Sequence, residues 1–139
     1  MKNLKMAFVL MLTTAPMASI ASEACPQLAG MYKNGEQYLQ ISQQVNGAGH
    51  LVYKMTSNGG PVLLEVGSSK TETGALGTAV SVVTCENNQV VITTTLAAMN
   101  SVAKSSAGLN SSGDLVETET TIMAGLPKPI SASTVYKRQ

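Results

Sequence analysis

Two glutamates, Glu117 and Glu119, have the residue type and spacing that come nearest to a catalytic or metal-binding pair in this sequence. Alternate residues of a β-strand point to the same side, so the two carboxylates would lie about 7 Å apart. That is the minimum geometry for a pair that cleaves a glycosidic bond or for part of a calcium site. Threonines flank both glutamates, which favours a simpler interpretation, a strand face exposed to solvent.

The single histidine, His50, follows a glycine-containing turn. A zinc site needs several ligands, and a serine nucleophile needs a base and an orienting group within hydrogen-bond reach. The sequence has no second histidine and no Gly-x-Ser-x-Gly motif, and its glycine-rich turns precede no helix, as a phosphate-binding loop requires. We therefore predict neither enzyme activity nor a catalytic, metal or cofactor site, and interpret His50 as a turn residue.

The N-terminal segment has the three parts of a secretory signal. Lys2 and Lys5 supply a positive region, and residues 6–20 carry no charge and are mostly apolar. That stretch is shorter than the roughly 20 apolar residues of a membrane-spanning helix, and small residues follow it. We predict a signal peptide over 1–21 and one domain over 22–139, exported to a bacterial periplasm or to the medium.

Cys25 and Cys85 are the two cysteines of the sequence. In an exported chain an even number of cysteines predicts a disulfide, which would close a loop of about 60 residues and stabilise the fold by about 4 kcal/mol. Two free buried thiols are the alternative. Lipidation of Cys25 is a further alternative, but Ser22 and Glu23 do not fit the apolar and small residues that precede a lipidated cysteine.

Charge excludes two classes of partner. Removal of the signal leaves seven basic residues against eight acidic ones, so the formal net charge changes from +1 to −1. A near-neutral, mixed surface has no electrostatic footprint for nucleic acid or an anionic membrane. We expect a monomer that neither binds nucleic acid nor inserts stably into a membrane.

The apolar residues alternate with polar ones in short runs separated by Gly, Asn, Ser and Pro, which is typical of half-buried strands. Residues 67–77 are polar and separate two halves, and the pattern is ambiguous over 97–107. The pattern predicts an all-β fold, an antiparallel up-and-down meander that forms a closed or partly open barrel of about eight strands. The runs that predict strands are 29–33, 37–45, 51–55, 62–66, 78–85, 89–96, 115–123 and 130–138.

The two ends of the predicted domain resemble those of small exported lipocalin-like (calycin-type) β-barrels. Leu28-Ala29-Gly30-Met31-Tyr32 is similar to the Leu-x-Gly-x-aromatic segment that begins their first strand, with Tyr32 where better-known members carry Trp. Tyr136-Lys137-Arg138 is similar to the Tyr-x-Arg of their last strand. The resemblance implies an up-and-down barrel whose interior either holds a small apolar ligand or is filled by its own side chains.

Two functions follow as hypotheses. A binding module would hold a small hydrophobic molecule in a cavity lined by Leu39, Ile41, Leu51, Tyr53, Val62 and Leu64. An interaction protein of the bacterial envelope, for example a hydrolase inhibitor, would have a solid interior and present loops, with 67–77 and 97–113 as the candidates. The number and size of the side chains in the interior decide between them.

Overall fold

The structure is a computed structural model that describes residues 25–139. The predicted signal peptide and its cleavage site lie outside the described residues. Within 25–139, no helix is long and apolar enough to cross a membrane.

Ten antiparallel strands form one sheet in the described part of the chain, with a single 3-10 turn at Ala97–Met99. Each strand pairs with its neighbours in sequence, except that β4 and β5 do not pair with each other, and the first strand, β1, also pairs with the last, β10. The sheet order is therefore β4-β3-β2-β1-β10-β9-β8-β7-β6-β5. The strands are β1 (Gly30–Asn34), β2 (Gln37–Val45), β3 (Leu51–Ser57), β4 (Gly60–Glu65), β5 (Ser69–Gly74), β6 (Gly77–Glu86), β7 (Gln89–Leu96), β8 (Ser101–Leu109), β9 (Leu115–Met123) and β10 (Ile130–Arg138).

The sheet curls into a partly open barrel. Its two edge strands, β4 and β5, follow each other in sequence but form no ladder. The connection between them instead bridges distant strands, because Val66 donates its N–H to Leu51 on β3, and Gly67 donates to Val83 on β6. Strands that are far apart in the sheet order thus meet across the interior, and the inward residues form a common core.

The predicted up-and-down antiparallel meander is confirmed. Side chains alternate as expected, with Leu39 and Ile41 buried on β2 and their neighbours exposed. The strand number is ten and not about eight, because the segments 67–77 and 97–113, predicted to be candidate loops, contain β5 and β8. Neither has an apolar alternation: β5 is a sheet edge exposed along its whole length, and β8 consists mainly of small residues.

Alternating strand direction gives the barrel two different ends. The end that we call the closed end carries residues 25–29 and the connections 46–50, 66–68, 87–88 and 110–114. The opposite end, the open end, carries the connections 35–36, 58–59, 75–76, 97–100 and 124–129.

Two turns at the closed end share one design. The side-chain oxygen of Asn46 accepts the backbone N–H groups of the residues two and four positions later, and Asn110 does the same in its own turn. Each turn ends through a glycine with positive φ, Gly49 at 86° and Gly113 at 83°, a conformation that side chains disfavour. The two turns fix the register of β2 with β3 and of β8 with β9.

Candidate functional site

The N-terminal segment 25–29 crosses the closed end as a plug. A disulfide joins Cys25 to Cys85 on β6, 60 residues away, which confirms the predicted pairing. Leu28 is fully buried within the core cluster. The plug thereby ties the start of the domain to a strand on the far side of the sheet.

Polar side chains that point inward hold this plug. The Gln43 side-chain oxygen accepts the N–H groups of Leu28 and Ala29, the latter at 2.9 Å. The Tyr53 hydroxyl donates to the Pro26 carbonyl at 2.7 Å, and burial raises the pKa of Tyr53 to about 12. These bonds satisfy backbone groups that no strand pairs with, so the closed end can exclude water without leaving polar groups unpaired.

The first and last strands meet at the same end, where Tyr32 is fully buried. Its hydroxyl donates to the Leu28 carbonyl at 2.7 Å and accepts from Nη1 of Arg138 at 3.1 Å. Arg138 lies over the ring, 5.4 Å from its centre, and donates through Nη2 to Ala29. A Cβ at Gly30 would lie 3.1 Å from Nη2, so glycine lets the guanidinium approach the plug.

Between this plugged end and the open end lies a cavity of about 470 Å³. Side chains from both halves of the sheet contribute to its wall. The apolar part of the wall comprises Leu39, Met55, Val62, Leu64, Val90, Ile92 and Ala107. The polar part includes Gln37, Tyr38, Ser57, Asn58, Ser105, Glu117 and Tyr136.

The side chains that fill the interior completely lie toward the closed end. Tyr32 and Tyr53 are fully buried near the plug, whereas β8 contributes only small side chains to the cavity, those of Ser105, Ser106 and Ala107. Val62 shares the inward face of β4 with Leu64 and still is 55% exposed. Apolar surface has thus been left accessible inside the barrel, where a ligand can cover it.

Three of the six predicted lining residues, Leu39, Val62 and Leu64, contribute to the cavity wall. The structure places the other three nearer the closed end. Ile41 and Tyr53 are buried in the core below the cavity, and Leu51 packs against that core. All six lie at inward positions of β2, β3 and β4, and Ile41, Leu51 and Tyr53 belong to or pack against the core that includes Leu28 of the plug.

The far wall of the cavity was not predicted from the sequence. Ile92, Ala107 and Glu117 lie on adjoining strands at inward positions, because Val90 pairs with Ala107 and Ala107 with Glu117. The alternation of inward and outward residues along β7 and β9, together with the register of the hairpins, could have indicated these three residues. The strand between β7 and β9, β8, was not predicted because it consists mainly of small residues.

Glu117 brings a carboxyl group into this apolar wall. Tyr136 on β10 lines the same part of the cavity wall. Burial raises the pKa of Glu117, the charge of Glu119 raises it further, and the nearby Tyr136 hydroxyl opposes both effects. Glu117 therefore belongs to the interior and not to a solvated outer face, while Glu119, one step nearer the open end, is exposed.

His50 lies far from the cavity, in the turn 46–50 at the closed end. Its Nδ1 is 2.6 Å from the Glu65 carboxylate, and both side chains are partly exposed. Hydrogen bonds from His50 and Asn46 lower the pKa of Glu65. Over residues 25–139, no group of three or more His, Cys, Asp or Glu side chains could hold a metal ion.

The strand pairing and the cavity define the class of this molecule: a partly open, up-and-down β-barrel, plugged at one end and hollow at the other. The architecture implied by the lipocalin-like resemblance is therefore present, and the two segments that carry the resemblance contact each other through Tyr32 and Arg138.

No protein-family model matches the sequence. No curated protein matches it either. Among solved structures, the chain is similar to an asparagine-to-alanine mutant of the fluorescent protein UnaG, with 20% sequence identity and a TM-score of 0.48. The match covers 74% of this chain and 71% of that one. At this level of similarity, nothing about ligand or role passes from that protein to this chain.

Proposed function

We propose that this chain is an exported binding module that holds a small, largely apolar molecule inside its barrel. The observation that carries the proposal is the unfilled cavity of about 470 Å³, whose wall exposes more apolar than polar surface. Ligand cavities of proteins typically measure about 300–1,000 Å³ and combine an apolar wall with a few polar groups. Covering the exposed apolar surface of the wall would provide the driving force for binding.

The proposed export is supported by two features. The N-terminal residues have the composition of a signal peptide. The Cys25–Cys85 disulfide belongs to the kind of crosslink that persists in oxidising compartments such as the bacterial periplasm. Residues 22–139 are proposed as the mature domain.

The alternative, an inhibitor or other interaction protein, predicts a solid interior and presented loops. The interior holds a cavity, and the two candidate segments are largely hydrogen-bonded strands. No feature of residues 25–139 favours this alternative over the binding module.

Native mass spectrometry of the secreted protein, purified without detergent, tests the proposal. We expect a fraction of the molecules to carry extra mass that is released on denaturation. The Ser105→Phe variant should lose this mass, because residue 105 faces the cavity beside Ile92. The matched control is Lys104→Phe, whose side chain lies on the opposite, exposed face of β8.

The result that would overturn the proposal is a protein of unmodified mass that also fails to bind the neutral apolar dye Nile red. Equal dye binding by Ser105→Phe and the wild type would also contradict it, since the dye would then lie outside the cavity.

A further inference from the structure

The cavity contains a carboxyl group that the fold does not neutralise. The first three inward residues of β9 become more accessible with distance from the closed end: Leu115 is fully buried, Glu117 is intermediate and Glu119 is exposed. Glu117 thus lies at the depth where apolar wall and solvent meet, in position to contact one end of a bound molecule.

No cation within the described chain compensates this carboxyl group. The inward residues beside it are Ala107 and Ser105 on β8 and Thr134 and Tyr136 on β10. The ion pairs formed by residues 25–139 are His50–Glu65, Lys70–Glu72 and Lys137–Asp114, and Glu117 takes part in none of them. A ligand that covers the wall would remove water from Glu117, which is unfavourable for a carboxylate unless the ligand supplies a partner.

We infer that the ligand of this cavity is a basic amphiphile, an apolar body with a primary amine or similar ammonium group that pairs with Glu117. This inference rests on the proposed binding function and specifies its ligand class. The carboxylate would accept charge-assisted hydrogen bonds from the ammonium group at the part of the cavity wall that Tyr136 also lines. A fatty acid with an apolar chain of the same length as the amine would place its carboxylate near Glu117 and Glu119. Repulsion between the like charges would weaken its binding.

Binding of an ammonium group to Glu117 would depend on pH. The groups that titrate and face Glu117 are Glu119, on its own strand, and Tyr136, on β10. Because an amine binds the ionised carboxyl group, affinity should fall as the pH decreases through the pKa of Glu117. The acid should show the opposite trend, since protonation of Glu117 removes the repulsion.

Calorimetric titration with three probes of equal chain length, decylamine, decanol and decanoic acid, tests this inference below their micelle concentrations. We expect decylamine to bind at least about tenfold more tightly than decanoic acid, because one charge-assisted contact can account for a difference of this size. Glu117→Gln should remove most of that preference. The control Glu86→Gln, exposed at the closed end, should leave the preference unchanged.

The outcomes separate the two proposals. Failure of all three probes to bind would contradict the binding function itself. Binding of decanol together with an equal or greater affinity for decanoic acid than for decylamine would overturn the ligand class alone. Retention of the amine preference in Glu117→Gln would also overturn it.

Discussion

The carboxylate of Asp114 accepts the backbone N–H of Arg138 at 3.0 Å and so joins the turn 110–114 to the last strand. Its second oxygen accepts from Nζ of Lys137 at 3.1 Å. Asp114 is the buried charged residue of the described chain. The bond from the Arg138 backbone, and then that from Lys137, lower the pKa of Asp114 below its ordinary value of 3.8. The ionised carboxylate therefore stabilises the folded state.

We expect Asp114→Asn to lower the unfolding midpoint at neutral pH. A carboxyl group with a lowered pKa stabilises above its unfolded pKa, and this contribution disappears as the pH falls through the folded pKa. The difference between wild type and variant in guanidinium unfolding should therefore shrink from pH 7 to about pH 3. A difference that does not depend on pH would show that the carboxylate charge is irrelevant.

Tyr32→Phe tests the junction of the first and last strands. The substitution removes the hydroxyl that bonds to Leu28 and Arg138 and leaves a buried carbonyl without its donor. We expect a loss of about 1–3 kcal/mol in the free energy of unfolding. Tyr38→Phe, at a side chain that is 42% exposed, should change it by less than about 0.5 kcal/mol. Similar losses in the two variants would contradict the role of the Tyr32 hydroxyl.

Removal of the disulfide by the double substitution Cys25→Ala and Cys85→Ala should destabilise the protein. The crosslink closes a loop with a sequence separation of 60 residues, and chain entropy assigns such a loop about 4 kcal/mol. Denaturant unfolding measures the loss, with circular dichroism to verify that the variant keeps its strands. Unchanged stability would show that the plug needs only its hydrogen bonds to Gln43 and Tyr53.

Glu117→Gln should stabilise the empty protein at neutral pH. Burial and the charge of Glu119 raise the pKa of Glu117 above its ordinary value of 4.5. A group with a raised folded pKa contributes stability below its unfolded pKa, and that contribution is lost as the pH rises through the folded pKa. The Tm of the variant relative to wild type should therefore increase from pH 4 to pH 7.5. A Tm difference between variant and wild type that does not change with pH would contradict the burial of Glu117 and show that its carboxyl group is solvated.

The free edge β5 is protected by charge, since Lys70 and Glu72 form an ion pair 3.2 Å long and every residue of the strand is exposed. Charged side chains on an edge strand oppose pairing with a second molecule. Lys70→Val combined with Glu72→Val should cause concentration-dependent self-association, measured by size exclusion with light scattering. Wild type should remain monomeric, and a monomeric double variant would contradict this role of the pair.

Strands with one buried and one exposed face could be predicted from the sequence. Gln37–Val45 and Leu115–Met123 have the predicted bounds, because their alternation and their flanking turns agree. Ser69–Gly74 could not be recognised as a strand, since an edge exposed on both faces has no apolar alternation. Its partner β6 creates that strand through backbone pairing, which leaves no pattern in the side chains.

The inward face of β2 could be predicted, but which of its residues reach the cavity, and which residues form the far wall, could not. Alternation assigned Leu39 and Ile41 to one face, yet only the plug determines that Ile41 is covered and Leu39 reaches the cavity. Glu117 was recognised as chemically notable. Its inward direction depends on the pairing of β9 with β8 and β10, a non-local property that residue type alone does not contain.

Diffraction from a crystal pressurised with xenon tests the central claim most directly, because xenon occupies hollow apolar sites whatever the natural ligand is. In the protein without ligand, we expect xenon density between Leu39, Leu64 and Ile92. A barrel whose side chains have collapsed to close this space, with no xenon inside, would contradict it.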